Sequence, residues 1–187
     1  MLFRSLRLER NYSEATRLLQ ARLAQFHFDS QYLKCSAQVN LAFIQRLAGD
    51  TAGATVTAEQ ARTTLEQLLR DQPGNEFFTA ALSQAYAAMG EKELALKAAQ
   101  KAIALMPNTK DLQWGPAFEE NLALIEATFG ENGRAIETLT RLLQTPSDSL
   151  FYPSTAPITA ALLRLDPIWD PLRADPAFQK LCEEKQP

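Results

Sequence analysis

Residues 76–109 read EFFTAALSQAYAAMGEKELALKAAQKAIALMPNT, and this stretch decides the fold. Apolar residues recur three and four apart on both sides of Gly90, as they do along one face of a helix. Glycine suits the left-handed residue that ends a helix, and Pro107 stops the second run because proline cannot continue a helix. The stretch therefore predicts two helices joined by a tight turn.

The apolar faces of the two predicted helices carry side chains of different size. On the first helix the face consists of Leu82, Tyr86 and Met89. On the second helix it consists of Leu94, Ala95, Ala98, Ala102 and Leu105. The alanines of this second face allow the two helix axes to approach closely. Because a single hairpin cannot bury both faces, we expect neighbouring hairpins along the chain.

The spacing of small and large residues in this stretch follows a 34-residue helical repeat. With Glu76 as the first position, the marker residues at the seventh, eighth, eleventh, fifteenth, twentieth, twenty-seventh and thirty-second positions are Leu82, Ser83, Tyr86, Gly90, Ala95, Ala102 and Pro107. The stretch resembles a tetratricopeptide repeat. It departs from the family at Thr79 and Ala99, where large residues are usual. The resemblance implies an all-α fold, a right-handed α-solenoid of tetratricopeptide-like helical hairpins.

Looser copies of the pattern occupy the rest of the chain, which we predict to be one domain. Ala15 and Ala135 take the small twentieth position in the copies before and after the central one. The predicted units are a partial first repeat (1–29), a repeat (30–75), the best repeat (76–109), a further repeat (110–149) and a C-terminal helical cap (150–187).

The repeat at 30–75 carries a predicted long turn. We expect helices over 30–48 and 57–70, because Thr57 followed by Gln60 is a capping-box pattern. The intervening GDTAGATV is rich in Ala, Gly and Thr and is longer than a standard repeat turn. It should project from one edge of the stack.

The tail departs from the repeat pattern. A loop is expected over SDSLFYPSTAP (147–157), and Pro157 should open a short helix, PITAALLRL. Three Asp-Pro pairs follow, and each of Asp166, Asp170 and Asp175 is expected to cap a short helical turn. These turns should carry five apolar side chains onto the last hairpin: Leu165, Trp169, Leu172, Phe178 and Leu181.

A second resemblance is carried by the segment LLRLDPIWDPLRADPAFQKL (162–181), which follows a predicted loop that contains Tyr152 and Pro153. It is similar to the C-terminal regions of large bacterial signalling proteins, in which a tetratricopeptide array follows a serine/threonine kinase, nucleotide cyclase or winged-helix DNA-binding domain. The resemblance covers essentially the whole chain and is strongest from Glu76 onward. It implies the sensory or docking part of a larger regulator, cut from a longer polypeptide.

Composition disfavours several function classes. The net charge of −3 offers no basic stripe for phosphates, so we expect no direct nucleic-acid binding. No stretch approaches the roughly 18 apolar residues of a membrane span, so we expect no membrane insertion and a cytoplasmic location. His27, Cys35 and Cys182 form no catalytic or metal-ligand pattern, and we predict a non-enzyme without cofactor or metal.

Stacked hairpins expose a concave face lined by their first helices, and such a face can bind a protein or an extended peptide. The resemblance places eight candidate groove residues there: Asn40, Phe43, Arg46, Phe77, Gln84, Glu120, Asn121 and Leu124. Asn40 and Asn121 share the sixth position, where an amide can hydrogen-bond a peptide backbone. The Lys and Arg set that clamps a C-terminal carboxylate in chaperone-binding members is missing.

Three functions stay open at this stage. The first is a non-catalytic scaffold that binds a protein or peptide. The second is self-association into a homo-oligomer, with the groove filled by the cap or by a neighbouring subunit. The third is an enzyme of an unrecognised kind, which a polar pocket converging on His27 or Cys35 would support.

Overall fold

The computed structural model describes residues 2–25, 27–145, 149–150 and 158–183. Within these ranges all regular secondary structure is helical, and no strand is present. In order, the helices are α1 (Leu2–Leu8), α2 (Tyr12–Gln25), α3 (Gln31–Leu47), α4 (Thr51–Asp71), α5 (Glu76–Met89), α6 (Lys92–Leu105), α7 (Gly115–Thr128), α8 (Asn132–Leu142), α9 (Ala160–Leu165), the 3₁₀ helix η1 (Pro167–Leu172) and α10 (Pro176–Glu183). The predicted all-α fold class is confirmed.

From α1 to α8, each helix packs against the next one in the chain. The first helices of successive hairpins also contact one another, α3 with α5 and α5 with α7. Helix α5 therefore has α3, α4, α6 and α7 around it, and most of its residues from Thr79 to Ala88 are buried. This central helix belongs to the stretch from which the hairpin was predicted.

The hairpins share one kind of turn. Gly49, Gly90 and Gly130 adopt positive φ values of 85°, 87° and 79° between the two helices of their hairpins. In each turn the N–H after the glycine donates to the carbonyl five residues before it, as Glu91 does to Tyr86. Glycine fits this left-handed conformation because it has no Cβ to clash. The left-handed residue predicted at Gly90 is confirmed.

The long turn predicted before α4 is wrong. Helix α4 begins at Thr51, and residues 51–56 form its first turns. Asp50 is the cap, because its carboxylate accepts a hydrogen bond from the Gly53 N–H at 2.8 Å. Ala54 and Ala58 are then buried in a cluster with α3 and α5. Thr57 consequently lies inside α4 and is not its N-cap.

The buried face of α6 is rotated from the predicted one. Ala95 and Ala102 are fully buried, as expected for close-contact positions, and the third fully buried alanine of this helix is Ala99 instead of Ala98. Leu94 was placed on the same face, but 45% of its surface is exposed. A helix wedged between α5 and α7 receives its deepest contacts along the alanine row, because only small side chains fit there.

The cap lies against α7 and α8 through large apolar side chains. Trp169, Leu172, Phe178 and Leu181 are buried in one cluster with residues of both helices, as predicted. Leu165 was expected to join them, but 55% of its surface is exposed. It is the last residue of α9 and points away from the cluster that buries Leu163.

Two of the three predicted aspartate caps are present. Asp166 accepts a hydrogen bond from the Ile168 N–H, and Asp175 accepts one from the Ala177 N–H at 2.9 Å. Asp170 is not a cap, because Pro171 continues the 3₁₀ helix η1 through that position. Its carboxylate binds arginines instead.

The beginning of α9 also differs from the sequence prediction. Thr159 caps the helix, and its hydroxyl accepts a hydrogen bond from the Leu162 N–H at 3.1 Å. The predicted opening by Pro157, and most of the predicted loop before it, lie outside the described residues. Among the helices of the described ranges, none has the length and apolar character needed to cross a membrane.

Candidate functional site

A cavity of about 340 Å³ lies between α3, α7 and η1. Three of the predicted groove residues line it, namely Phe43 and Arg46 of α3 and Leu124 of α7. The remaining lining residues are Leu47, Thr128, Pro167, Ile168, Asp170 and Pro171. We call this cavity the cap pocket, because four of its nine lining residues belong to the C-terminal cap.

The lining of the cap pocket is mainly apolar, with a few polar groups. Arg46 donates through one Nη to the backbone carbonyl of Ala88 at 2.9 Å, which fixes its side chain across α5. The Thr128 hydroxyl donates to the Leu124 carbonyl at 2.8 Å in its own helix. Apolar walls with a small number of held polar groups are typical of sites that bind another molecule.

Asp170 joins the cap pocket to the first hairpin, which consists of α1 and α2. Its two carboxylate oxygens accept hydrogen bonds from the two Nη atoms of Arg10, at 2.7 and 2.8 Å. The Nε of Arg173 also donates to this carboxylate. Burial alone would raise the pKa of Asp170, but the hydrogen bonds from Arg10 and Arg173 outweigh it and hold the pKa below its usual value.

A second arginine–aspartate pair lies deeper along the same interface. An Nη of Arg7 lies 2.6 Å from a carboxylate oxygen of Asp166, and both side chains are buried. These two residues are 159 positions apart in the chain. Loss of one partner alone would leave an uncompensated charge away from water, so such a loss should strongly destabilise the chain.

Asn121 forms internal contacts only. Its side chain has no exposed surface. Its amide oxygen accepts from the Gln84 Nε2 at 2.8 Å, and its amide nitrogen donates to the Ser83 hydroxyl at 2.9 Å. These bonds fasten α7 to α5. A peptide reaches Asn121 only if they open.

The other predicted groove residues lie apart from the cap pocket. Asn40 donates to the Ser36 carbonyl at 2.7 Å within α3. Phe77 packs edge-on against Trp114 and Phe118, each at a ring separation of 5.4 Å. The structure therefore brings Phe43, Arg46 and Leu124 together and distributes the remaining five among other contacts.

Glu120 is buried on α7, with 2% of its surface exposed. Burial raises the pKa of its carboxyl group to about 8. The Ser149 hydroxyl and the charges of Arg7 and Arg4 oppose this rise, while the charge of Asp166 adds to it. Glu120 is therefore mostly protonated at neutral pH, and its carboxyl group interacts electrostatically with both members of the buried pair.

The residues considered for catalysis do not converge. His27 lines a separate cavity of about 220 Å³ with Lys34 and other residues of the α2–α3 junction, and Cys35 is absent from that lining. Cys35 is fully buried between α3, α4 and α5, where burial raises the pKa of its thiol. In the described part of the chain, no group of three or more His, Cys, Asp or Glu side chains is placed to hold a metal ion.

Sequence reasoning missed the cap side of the pocket. Ile168 was not considered, and Asp170 was interpreted only as a helix cap. Arg10 was not considered either, since nothing near it in sequence indicates a partner 160 residues away. The close succession of Asp-Pro pairs was the one local signal that this segment carries specific contacts.

A scan against protein-family models, a search of curated proteins and a search of solved structures each gave no match. These comparisons therefore indicate no ligand for this chain.

Proposed function

We propose that this chain is a non-catalytic protein-binding scaffold, an α-solenoid of tetratricopeptide-like hairpins that holds an apolar side chain of a partner peptide in the cap pocket. In keeping with the resemblance of its tail, it would serve as the sensory or docking part of a larger bacterial signalling protein or transcriptional regulator in the cytoplasm. The observation that carries the proposal is the meeting of Phe43, Arg46 and Leu124 in one cavity.

The helix contacts support the solenoid. In a solenoid each repeat contacts only its neighbours, and the first helices of successive repeats line one face. Here α3 contacts α5, and α5 contacts α7, while α4 and α6 each bridge two successive first helices. This order of contacts is the one that stacked hairpins produce, and the contacts of Arg7 and Arg10 with the cap are an addition to it.

The chemistry of the cap pocket supports a peptide partner. Apolar walls from Phe43, Leu124 and Ile168 favour an aliphatic or aromatic side chain. Arg46 and Asp170 supply groups of opposite charge that can orient the flanking backbone or polar side chains of the peptide. A buried apolar anchor surrounded by polar contacts is the usual arrangement of a binding hot spot.

Selection from a random peptide library displayed on phage tests this proposal. The natural chain would be the immobilised target, and the enriched peptides would be titrated against two variants. Thr128→Trp places a large ring at the wall of the cap pocket. Val56→Trp introduces the same ring on α4 at a position that is 61% exposed, and it is the matched control.

We expect enriched peptides to share an apolar residue and to bind the natural chain and Val56→Trp equally. Thr128→Trp should weaken binding at least about tenfold, or about 1.4 kcal/mol. Equal binding to all three proteins would overturn the proposal. If no peptide is enriched and sedimentation shows a mass that rises with concentration, self-association is the function instead.

A further inference from the structure

The first hairpin differs from the others at its turn. Its residue with positive φ is Arg10, at 58°, where the other hairpins have Gly49, Gly90 and Gly130. The hydrogen bonds are the same as in those turns: the Arg10 N–H donates to the Arg7 carbonyl, and the next N–H donates to the carbonyl of Leu6. A side chain in this conformation costs roughly 1–2 kcal/mol, which glycine avoids.

The side chain of Arg10, the residue in this strained conformation, contacts the C-terminal cap. Arg10 reaches Asp170 with two hydrogen bonds, in the parallel arrangement that suits a guanidinium and a carboxylate. Backbone strain persists where the surrounding structure requires it, and it is concentrated at functional positions. Arg10 therefore adds a contact that glycine at this turn could not make.

The cap pocket has one wall on the stacked hairpins and one on η1, and the Arg10–Asp170 contact connects these two parts of the chain. Phe43 and Leu124 belong to the stacked hairpins, whereas Pro167, Ile168 and Asp170 belong to η1. The first hairpin is anchored to α3 by Phe3, which is buried in a cluster with residues of α2 and α3. Movement of η1 away from the first hairpin would take one wall of the pocket with it.

We infer that the Arg10–Asp170 contact, supported by the buried Arg7–Asp166 pair, is a latch that fastens the cap to the first hairpin and keeps the cap pocket assembled. With the latch closed, the pocket has all its walls. With the latch open, the buried Arg7–Asp166 pair and the apolar contacts with α7 and α8 hold the cap alone, and η1 and α10 separate from α7 and α8 more often. The use of the pocket rests on the proposed function, but the latch itself does not.

The accessibility of two cysteines can be used to measure opening of the cap. Its two cysteines are both buried, Cys182 within the cap on α10 and Cys35 between α3, α4 and α5. Opening of the cap exposes Cys182 and leaves Cys35 covered. The rate at which 5,5′-dithiobis(2-nitrobenzoic acid) labels each thiol, resolved by peptide mass spectrometry, therefore measures cap opening without any ligand.

The decisive variant is Arg10→Gly, which removes the latch and relieves the backbone strain at the same turn. It should raise the labelling rate of Cys182 about twofold to fivefold, the effect expected from losing one exposed ion pair, and leave Cys35 unchanged. Arg17→Ala removes another exposed arginine of the first hairpin, whose partner Glu14 lies on the same helix, and should change neither rate. Arg10→Lys keeps the charge but not the paired hydrogen bonds, and should fall between the natural chain and Arg10→Gly.

Salt provides a second arm of the test. At 1 M salt, charges are screened within about 3 Å, so the natural chain should approach the Cys182 rate of Arg10→Gly, and that variant should respond little. An unchanged Cys182 rate in Arg10→Gly would overturn the latch. Equal acceleration of both cysteines would also overturn it, because the contact would then stabilise the whole fold instead of the cap. Since no peptide is used, neither result decides whether the pocket binds one.

Discussion

The central hairpin α5–α6 and the closure between the first hairpin and the cap are held together by different forces. In the hairpin, fully buried alanines bring two helices close, and residues adjacent in sequence supply the contacts. In the closure, two arginine–aspartate pairs join residues about 160 positions apart, next to large apolar side chains of the cap. The comparison shows that a helical hairpin is specified locally, whereas the closure depends on both ends of the chain.

The largest expected effect distinguishes the buried ion pair of the closure from an exposed ion pair. Asp166→Ala leaves Arg7 charged and buried, and should lower the free energy of unfolding by about 3–5 kcal/mol. The double variant Arg7→Met with Asp166→Leu should lose less than Asp166→Ala, because no charge is left unpaired. Urea denaturation followed by circular dichroism measures both.

Arg17→Ala is the control for that measurement. Its ion pair with Glu14 is exposed, so the loss should stay below about 1 kcal/mol. If Asp166→Ala lost no more than Arg17→Ala, the buried pair would not hold the closure.

The second prediction concerns pH. The pKa of Glu120 is raised to about 8 in the folded chain, above its value of 4.5 in the unfolded chain. Its contribution to stability is therefore full below about pH 4.5 and is lost as the pH rises towards 8. Glu120→Gln removes this loss and should stabilise the chain by roughly 4 kcal/mol at pH 8, since the two pKa values differ by about 3.5 and one unit of pKa corresponds to about 1.4 kcal/mol.

At pH 4.5 the two proteins should have nearly the same thermal midpoint, because Glu120 is then protonated in the folded chain and about half protonated in the unfolded chain, a difference of only about 0.4 kcal/mol. Comparison of the variant with the natural chain at each pH cancels the other carboxylates, such as Asp170, whose lowered pKa acts in the opposite direction. A gap between the two midpoints that does not change from pH 4.5 to pH 8 would contradict the assignment.

The third prediction tests the alanine contacts of the central hairpin. Ala95→Leu or Ala102→Leu should overpack the row between α5 and α7 and cost about 1–3 kcal/mol, measured by a thermal melt. Ala104→Leu on the exposed side of α6 is the matched control and should leave the melt nearly unchanged. Melts unaffected by the first two substitutions would mean that the faces are misassigned.

The smallest expected effects come from substitutions at two glycines. Gly90→Ala places a Cβ in the left-handed turn of the central hairpin and should cost roughly 1 kcal/mol. Gly133→Ala lies within α8 with open space around the added carbon, and should stabilise the chain by about 0.4–1 kcal/mol. Opposite shifts in the urea midpoint are expected, and shifts of the same sign would contradict this account of the turn.

The sequence allowed prediction of the helical hairpins because their signals are local. Gly90 and the periodic alanines each act within a few residues, and the structure has the expected helices at α5 and α6. The turn before α4 was mispredicted for a local reason as well. Asp50 competes with Thr57 as a cap, and the burial of Ala54 and Ala58 decides between them.

The site could be predicted only in part. Phe43, Arg46 and Leu124 could be placed on one face because the resemblance to tetratricopeptide repeats assigns them to the groove side of the first helices. Ile168, Asp170 and Arg10 could not, because the position of the cap against the hairpins depends on contacts between distant segments. Asn121 shows the same limit, since its amide is taken up by Ser83 and Gln84 of the neighbouring helix.

Hydrogen exchange with and without the tightest selected peptide tests the binding proposal most directly. The cap pocket has walls from three segments, at 43–47, 124–128 and 167–171, and a bound peptide should slow amide exchange in all three together. The exposed outer side of α4 around Val56 should show no change. Protection confined to another surface, or protection of α3 and α7 without η1, would contradict a pocket built jointly by the hairpins and the cap.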